Sequence, residues 1–123
     1  MKRIYLSGPV TGLDIEEVRR AFSDAEKRVR AFYAGRGEEV LVYNPMKLTE
    51  YRPEKKWQDY MFPLLACLEK CDECYMLQGW TASKGAQIEK LFAEGCGIPV
   101  VFGHPQHHIG QALVDDSDEP NSL

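Results

Sequence analysis

Hydrophobic positions along the chain alternate between short continuous runs and segments in which apolar residues recur every three or four positions. The segments of helical spacing predict three helices, from Asp14 as N-cap to about Gly35 or Gly37, from 57 to 68, and from 84 to 95. The continuous runs predict four strands, at 3–7, 39–43, 73–77 and 98–102. Pro63 lies inside the second helical segment and predicts a kink or a restart there, and the polar residues 46–56 predict a loop.

The order β-α-β-α-β-α-β, with continuous rather than alternating apolar strands, indicates a parallel sheet that helices cover on both faces. We therefore expect the α/β class: one Rossmann-like or flavodoxin-like three-layer domain with a parallel sheet of four to five strands. Residues 1–103 are assigned to this domain. Residues 104–123 form a C-terminal tail that we expect to be partly disordered, because it is polar and ends in acidic residues.

Charge and hydropathy exclude several classes of partner. The 123 residues carry a formal net charge of −4, and no stretch of Lys and Arg is interleaved with aromatic residues, so binding to a nucleic-acid duplex is not expected. The N-terminal apolar run is too short for a signal sequence, and no apolar run is long enough for a membrane span. We expect no membrane association and a cytoplasmic location.

The four cysteines raise the question of a metal site. Cys67, Cys71 and Cys74 have the C-x3-C-x2-C spacing of some iron–sulfur proteins, and Cys96 or the histidines at 104, 107 and 108 would be needed for a zinc site. A cluster requires thiolates that converge from an open loop, whereas these cysteines fall on a predicted helix and strand. Reduced thiols in a cytosolic core are the favoured interpretation, and we expect no metal and no cofactor.

Two predicted loops follow strand ends and have the composition of anion-binding loops. Ser7, Gly8 and Pro9 follow the first strand, and residues 79–85 follow the third strand and lead into a helix N-terminus at Ser83. Ligands of such folds bind at the carboxyl ends of the strands, where glycines and a helix N-terminus favour a phosphate. Trp80 in the second loop is positioned either to stack on a base or to pack on its own domain.

Glu89 lies on the third predicted helix, four residues after Gly85. Because helical side chains lean toward the N-terminus, this carboxylate points over a residue without a side chain. Two interpretations follow: an acid that is accessible from the loop side, or a solvated carboxylate that pairs with nearby lysines.

The stretches IYLSGPVTG, Asn44-Pro45, WQDYM, CDECYMLQGW and SKGAQIE resemble the nucleoside 2-deoxyribosyltransferase superfamily, which includes deoxynucleoside 5′-monophosphate N-glycosidases. The resemblance covers roughly residues 2–102, and S-x-G-x-x-x-E is its most specific part. It implies that Glu89 is the nucleophile that attacks C1′ of a deoxyribose and that Tyr5 orients it. It further implies that Gly8 faces the sugar or phosphate and that Ser83 lies near a 5′-phosphate. A homo-oligomer is also implied, since relatives complete their pockets with a neighbouring subunit.

The sequence departs from this superfamily at the acid that protonates the leaving base. Relatives carry an aspartate five residues after the aspartate of D-Y-M, and Leu64 occupies that position here. Asp59 is one alternative acid. Asp72 is another, but it begins a strand and so lies at the wrong end of the sheet.

Two functions from different classes remain open. In the first, the protein cleaves or transfers the deoxyribosyl group of a deoxynucleoside or its 5′-monophosphate through Glu89. In the second, it is a nucleotide-binding module without efficient catalysis, which the absent acid favours. A metal protein built on the cysteines is a third and weaker hypothesis.

Overall fold

The computed structural model describes residues 1–50, 52 and 54–103, and the predicted C-terminal tail lies outside the described residues. Four strands form one sheet: β1 (Lys2–Ser7), β2 (Val40–Tyr43), β3 (Glu73–Met76) and β4 (Val100–Phe102). All neighbouring strands are parallel, in the order β2-β1-β3-β4. The predicted α/β fold with a parallel sheet is therefore confirmed, and four strands of the sheet lie within the described residues.

Four α-helices connect or follow the strands: α1 (Ile15–Ala34), α2 (Pro45–Leu48), α3 (Trp57–Leu68) and α4 (Lys84–Gly95). Each of the three long predicted helices is present. Asp14 caps α1 as predicted, because its side chain accepts a hydrogen bond from the backbone N–H of Glu17 at 3.0 Å. A 3₁₀ turn at Trp80–Ala82 precedes α4.

The short helix α2 corrects the prediction of a loop over 46–56. Asn44-Pro45 ends β2, as expected, but the same two residues also begin a helix. The Asn44 side chain accepts a hydrogen bond from the backbone N–H of Met46 at 2.9 Å, and proline is favoured in the first turn because it needs no hydrogen-bond acceptor there.

Helix α3 runs without a break from Trp57 to Leu68, so the helix does not restart at Pro63. The proline ring is exposed. Strand β4 begins at Val100, two residues later than predicted, so Ile98 and Pro99 lie before it. The Pro99 carbonyl still accepts a hydrogen bond from the Cys74 backbone N–H at 2.9 Å.

The sheet is covered by helix α1 on one face and by α3 and α4 on the other. Side chains alternate along β1, so that Ile4 and Leu6 pack in the core under α1, whereas Tyr5 packs in the core under α3 and α4. Within the described part of the chain, no helix is long and apolar enough to cross a membrane.

Candidate active site

A pocket of about 440 Å³ opens near the carboxyl ends of β1 and β3. The chain passes from β1 to β2 on one side and then crosses to β3 on the other, so this is the point where the strand order reverses. The walls come from the loop after β1, from α1, from residues 45–64 and from the start of α4. Its lining residues include Gly8, Thr11, Phe22, Pro45, Arg52, Lys55, Trp57, Tyr60, Met61, Leu64, Ser83, Gly85 and Glu89.

Glu89 is a wall residue of this pocket and is only 5% exposed. The Tyr5 hydroxyl donates a hydrogen bond to Oε2 at 2.7 Å, and the Ser7 hydroxyl donates one to Oε1 at 2.5 Å. Tyr5 and Ser7 are two residues apart on β1, so both side chains point to the same face of the sheet, the face that α4 covers. The carboxylate therefore has both oxygens held by one strand.

Burial raises the pKa of Glu89 to about 7, and the hydrogen bonds from Ser7 and Tyr5 act in the opposite direction. Cys74 on β3 is a close neighbour, and burial together with the charge of Glu89 raises the pKa of this thiol. A carboxyl group with a pKa near neutrality is present in both forms at physiological pH. It can serve as a nucleophile when ionised and as a proton donor when protonated.

The prediction of a solvated Glu89 that pairs with lysines is wrong. The neighbouring Lys90 instead binds Glu94 at 2.7 Å. Gly85 lines the pocket with Glu89, but the space that its missing side chain leaves is filled from another helix. A Cβ at this position would lie 3.3 Å from the Met61 sulfur, so Gly85 lets α3 approach α4 closely.

The start of α4 supplies polar groups to the pocket. Ser83 is the N-cap, and its Oγ accepts a hydrogen bond from the backbone N–H of Ala86 at 3.1 Å. The first turn of a twelve-residue helix carries partial positive charge. Ser83, for which the sequence predicts an anion-binding position, therefore lines the same pocket as Glu89.

Gly8 and Pro9 occupy different surroundings. Gly8 lines the pocket, and a Cβ there would lie 2.9 Å from the Leu77 Cβ, so a side chain has no room where β1 and β3 end together. Pro9 is not part of the pocket lining and its ring approaches Gly79, which has a φ of +86°. Ser7 is also absent from the lining, and its buried hydroxyl is bound to the carboxylate of Glu89.

Trp80 is positioned on its own domain rather than in the pocket. Its ring lies 5.6 Å from that of Phe102 on β4, and it packs against the core under α3 and α4. The indole therefore takes the second of the two predicted positions, and the structure does not place it to stack on a ligand in this pocket.

Two sequence-predicted acids lie away from the pocket lining. Asp59 is exposed and accepts a hydrogen bond from the backbone N–H of Lys56 at 3.0 Å, so it caps α3. Asp72 accepts one from the backbone N–H of Arg3 at 2.8 Å and lies at the amino end of the sheet, as its sequence position indicated. Leu64 does line the pocket, and among the described lining residues Glu89 is the only carboxylate.

Sequence analysis missed four polar or aromatic wall residues, namely Arg52, Lys55, Trp57 and Tyr60. Lys55 lies over the Tyr60 ring at 4.7 Å, and the Tyr60 hydroxyl binds the Arg52 carbonyl at 2.7 Å. The helical spacing of Trp57 and Tyr60 predicts α3 and does not by itself indicate a pocket. The available signal is their position in the first turn of a helix that follows a segment rich in cations, among them Arg52 and Lys55.

Cys67, Cys71 and Cys74 lie near one another in the core under α3 and α4, and the Cys71 thiol donates a hydrogen bond to the Cys67 carbonyl at 3.4 Å. Cys67 belongs to α3, Cys74 to β3, and Cys71 and Cys96 follow helices, and all four are free thiols. Among the residues that the structure describes, no group of three or more histidines, cysteines and acids is arranged to hold a metal ion. The three histidines lie outside the described residues.

The fold and the pocket define a class: a flavodoxin-like α/β domain with a buried carboxylate in a pocket near the carboxyl ends of its strands. A family model described as a domain of unknown function, DUF4406, matches residues 2–102. The chain belongs to this family. No curated protein matches the sequence.

Proposed function

We propose that this protein cleaves or transfers the deoxyribosyl group of a deoxynucleoside or deoxynucleoside 5′-monophosphate, with Glu89 as the nucleophile. One observation carries the proposal: a carboxylate that is 5% exposed lies in the wall of the pocket at the sheet's switch point, with each oxygen held by a hydroxyl of β1. The resemblance to the nucleoside 2-deoxyribosyltransferase superfamily supports the assignment of this acid.

The proposed reaction has two steps. The ionised Glu89 attacks C1′ as the C1′–N bond breaks, and the bonding electron pair leaves with the base, which takes a proton from water or from an acid. A water molecule or a second base then attacks C1′ of the glycosyl ester and restores the carboxylate. The carboxylate stabilises the positive charge that develops at C1′ in both transition states.

The pocket also has the groups to hold a 5′-phosphate. Ser83 and the first turn of α4 are at one part of its wall, and the cations Arg52 and Lys55 are at another. Trp57 and Tyr60 offer aromatic surfaces to a base or sugar. These residues favour an anionic nucleotide over a neutral nucleoside as the ligand.

A nucleotide-binding module without efficient catalysis is the alternative, and one observation favours it. Leu64 lines the pocket where relatives are expected to carry the acid for the leaving base, and Asp59 caps a helix outside the lining. Such a pocket would bind a nucleotide and leave its base in place.

The test is base release from a panel of deoxynucleosides and their 5′-monophosphates, followed by chromatography. A 2-fluorinated substrate should leave a sugar adduct on Glu89 that peptide mass spectrometry locates. Binding in calorimetry without base release or adduct would support the binding module, and an adduct on another residue would contradict the assignment of Glu89.

Two further parts of the proposal come from the sequence. We propose a homo-oligomer, which light scattering on the purified protein tests. We also propose a cytoplasmic location, which the four free thiols favour because disulfides are rare in reducing compartments.

A further inference from the structure

The hydroxyl of Ser7 has an arrangement that substrate binding does not explain. Ser7 is the last residue of β1 and is 0% exposed. Its Oγ lies 2.5 Å from Oε1 of Glu89, and the residue is outside the pocket lining. Glu89 therefore lines the pocket, whereas Ser7 contacts the carboxylate without lining the pocket.

We propose that Ser7 is a positioning residue for Glu89, whose hydroxyl fixes Oε1 so that the carboxylate presents one orientation to the pocket. The inference rests on the proposed function, because it assigns a role to Ser7 within that reaction. It replaces the sequence-based expectation that Ser7 contacts the substrate.

The reason that one hydrogen bond is not enough lies in the side chain of glutamate. The terminal torsion of a glutamate side chain is broad and roughly twofold, so a carboxylate held at one oxygen can still turn. Tyr5 holds Oε2 and Ser7 holds Oε1, and together they fix the plane of the group. Reaction at C1′ depends on this orientation, since small misplacements of a nucleophile are costly in rate.

The backbone of Ser7 is itself fixed. Ser7 pairs with Met76 across the parallel ladder, and its carbonyl accepts a hydrogen bond from Leu77 at 2.7 Å. The hydroxyl is therefore attached to the end of β1, which is paired there with β3, and β1 itself is an interior strand of the sheet. A rigid attachment of this kind is what holding a nucleophile requires.

Besides burial, the groups that shift the ionisation of Glu89 are the hydroxyls of Ser7 and Tyr5 on β1. The other titratable groups on the surrounding elements are the Cys74 thiol on β3, Lys90 on α4, which binds Glu94, and Arg52 and Lys55 in the wall of the same pocket. A hydroxyl that donates to the carboxylate favours its ionised form. Loss of the Ser7 hydroxyl should therefore raise the pKa of Glu89 as well as loosen its orientation.

The experiment compares wild type with Ser7→Ala, with Ser7→Thr as the variant that keeps the hydroxyl, and with Ser23→Ala on α1 as a matched control. The first readout needs no turnover: the pKa of Glu89 is followed by carbon NMR of protein labelled at the glutamate carboxyl. We expect Ser7→Ala to raise this pKa by about one unit, whereas Ser23→Ala leaves it unchanged.

The second readout is the pH profile of base release. For Ser7→Ala we expect the midpoint of kcat to rise by about one pH unit and the plateau of kcat at high pH to fall about tenfold, with KM unchanged. Ser7→Thr keeps the hydroxyl, so the midpoint and the plateau of kcat should stay close to the wild-type values. The lowered plateau separates positioning from a pure effect on ionisation, since ionisation alone would be recovered at high pH.

The outcomes distinguish this inference from the proposed function. If wild type releases base and Ser7→Ala leaves both the NMR pKa and the kcat profile unchanged, Ser7 is merely structural and the inference is overturned. If no substrate releases base, the proposed reaction fails, and the NMR titration still decides whether Ser7 holds Glu89. If Ser7→Ala left the pH midpoint of kcat unchanged and raised KM, Ser7 would contact the substrate and the inference would be overturned.

Discussion

Two glutamates are buried in the described part of the chain, Glu26 and Glu89, and they show how differently one fold treats the same side chain. Glu26 on α1 is 8% exposed and Glu89 on α4 is 5% exposed. Glu26 is bound by Arg30 at 2.8 Å, by Lys47 at 3.2 Å and by the Asn44 amide at 3.2 Å. Glu89 is bound by two hydroxyls.

The partners reverse the direction of the pKa shift. Burial raises the pKa of Glu26, but the hydrogen bonds from Arg30, Asn44 and Lys47 outweigh burial, so the pKa lies below its ordinary value. At Glu89 burial dominates and the pKa rises to about 7. A carboxylate neutralised by cations is suited to structure, and one that titrates near neutrality in a pocket is suited to chemistry.

The largest expected effect is on kcat, and it would sharpen the contrast between Glu89 and Glu26. Glu89→Gln keeps the size of the side chain and removes the charge that must stabilise and capture C1′. We expect kcat to fall by about a hundredfold to a thousandfold, with the thermal melting temperature not lowered. Steady-state kinetics and thermal unfolding check both parts.

Glu26→Gln is the control for this prediction, because it alters the other buried glutamate and should leave kcat close to the wild-type value. The contrast would break if Glu89→Gln turned over normally, or if the two variants lost activity equally.

The next prediction concerns the acid that protonates the leaving base. Among the described lining residues of the pocket, Glu89 is the only carboxylate. Leu64 is 5% exposed and lines the pocket. Leu64→Asp adds an acid at a buried position of the pocket wall, and burial favours its protonated form. We expect base release from ordinary deoxynucleotides to rise by about a hundredfold, the range of general acid catalysis.

Leu68→Asp is the matched control, since Leu68 lies on the same helix, is 0% exposed and is outside the pocket lining. It should destabilise the protein by several kcal/mol without a gain in rate, as expected for an unpaired acid in apolar surroundings. The same result for Leu64→Asp would mean that position 64 is core and would favour the binding module.

The third effect is on stability against pH, where the two glutamates should act in opposite directions. The folded protein holds the Glu89 proton above the ordinary pKa of 4.5, so folding is penalised increasingly as pH rises from 4.5 to about 7. Glu26 has a lowered pKa, so its contribution is lost as pH falls below its ordinary pKa.

Glu89→Gln should therefore gain stability relative to wild type between pH 4.5 and 7, on the order of 3 kcal/mol at the upper end. Denaturant unfolding at a series of pH values measures the difference. A constant difference across this range would mean that Glu89 has an ordinary pKa in the folded protein.

A smaller effect is expected on the stability that Glu26 provides. Glu26→Gln removes the charge that binds Arg30 and Lys47, and both cations are partly solvated, with side-chain exposures of 47% and 67%. We expect a loss of about 1–2 kcal/mol at neutral pH. Glu16→Gln, which breaks the exposed pair with Arg19, should change stability by less than about 0.5 kcal/mol in the same unfolding assay.

Most of the fold could be predicted because hydrophobic period and capping residues act locally. Asp14 and Ser83 mark the starts of α1 and α4 in the sequence, and both accept the backbone hydrogen bonds that such caps accept. Helix α2 was missed because Asn44-Pro45 serves both as a strand end and as a helix start, and only the path of the following residues distinguishes the two.

The site could be predicted less completely because it depends on which elements meet. Position along β1 places Tyr5 and Ser7 on one face, but their contact with Glu89 requires α4 to cross that face at a particular height. Trp80 and Asp59 have side chains suited to a ligand, and packing directs one to Phe102 and the other to a helix cap. Arg52 and Lys55 reach the pocket through a segment without a periodic pattern.

The smallest effect concerns how the pocket would hold an anion, and it sets the pocket apart from the Glu26 site. There the cations bind the buried carboxylate, whereas Arg52 and Lys55 line the pocket, with Arg52 3.4 Å from Glu54 and Lys55 3.4 Å from the Thr49 hydroxyl. A deoxynucleoside 5′-monophosphate should bind more tightly than its nucleoside, and Ser83→Ala should reduce that difference in binding free energy by about 1 kcal/mol, the scale of one hydrogen bond to a charged group.

Asp14→Ala is the control, because it also removes a helix N-cap but on a helix whose cap is outside the pocket lining. Calorimetry of both ligands with each variant measures the difference, and equal affinity of wild type for nucleotide and nucleoside would mean that the pocket holds no phosphate and that its cations serve the fold, as those around Glu26 do.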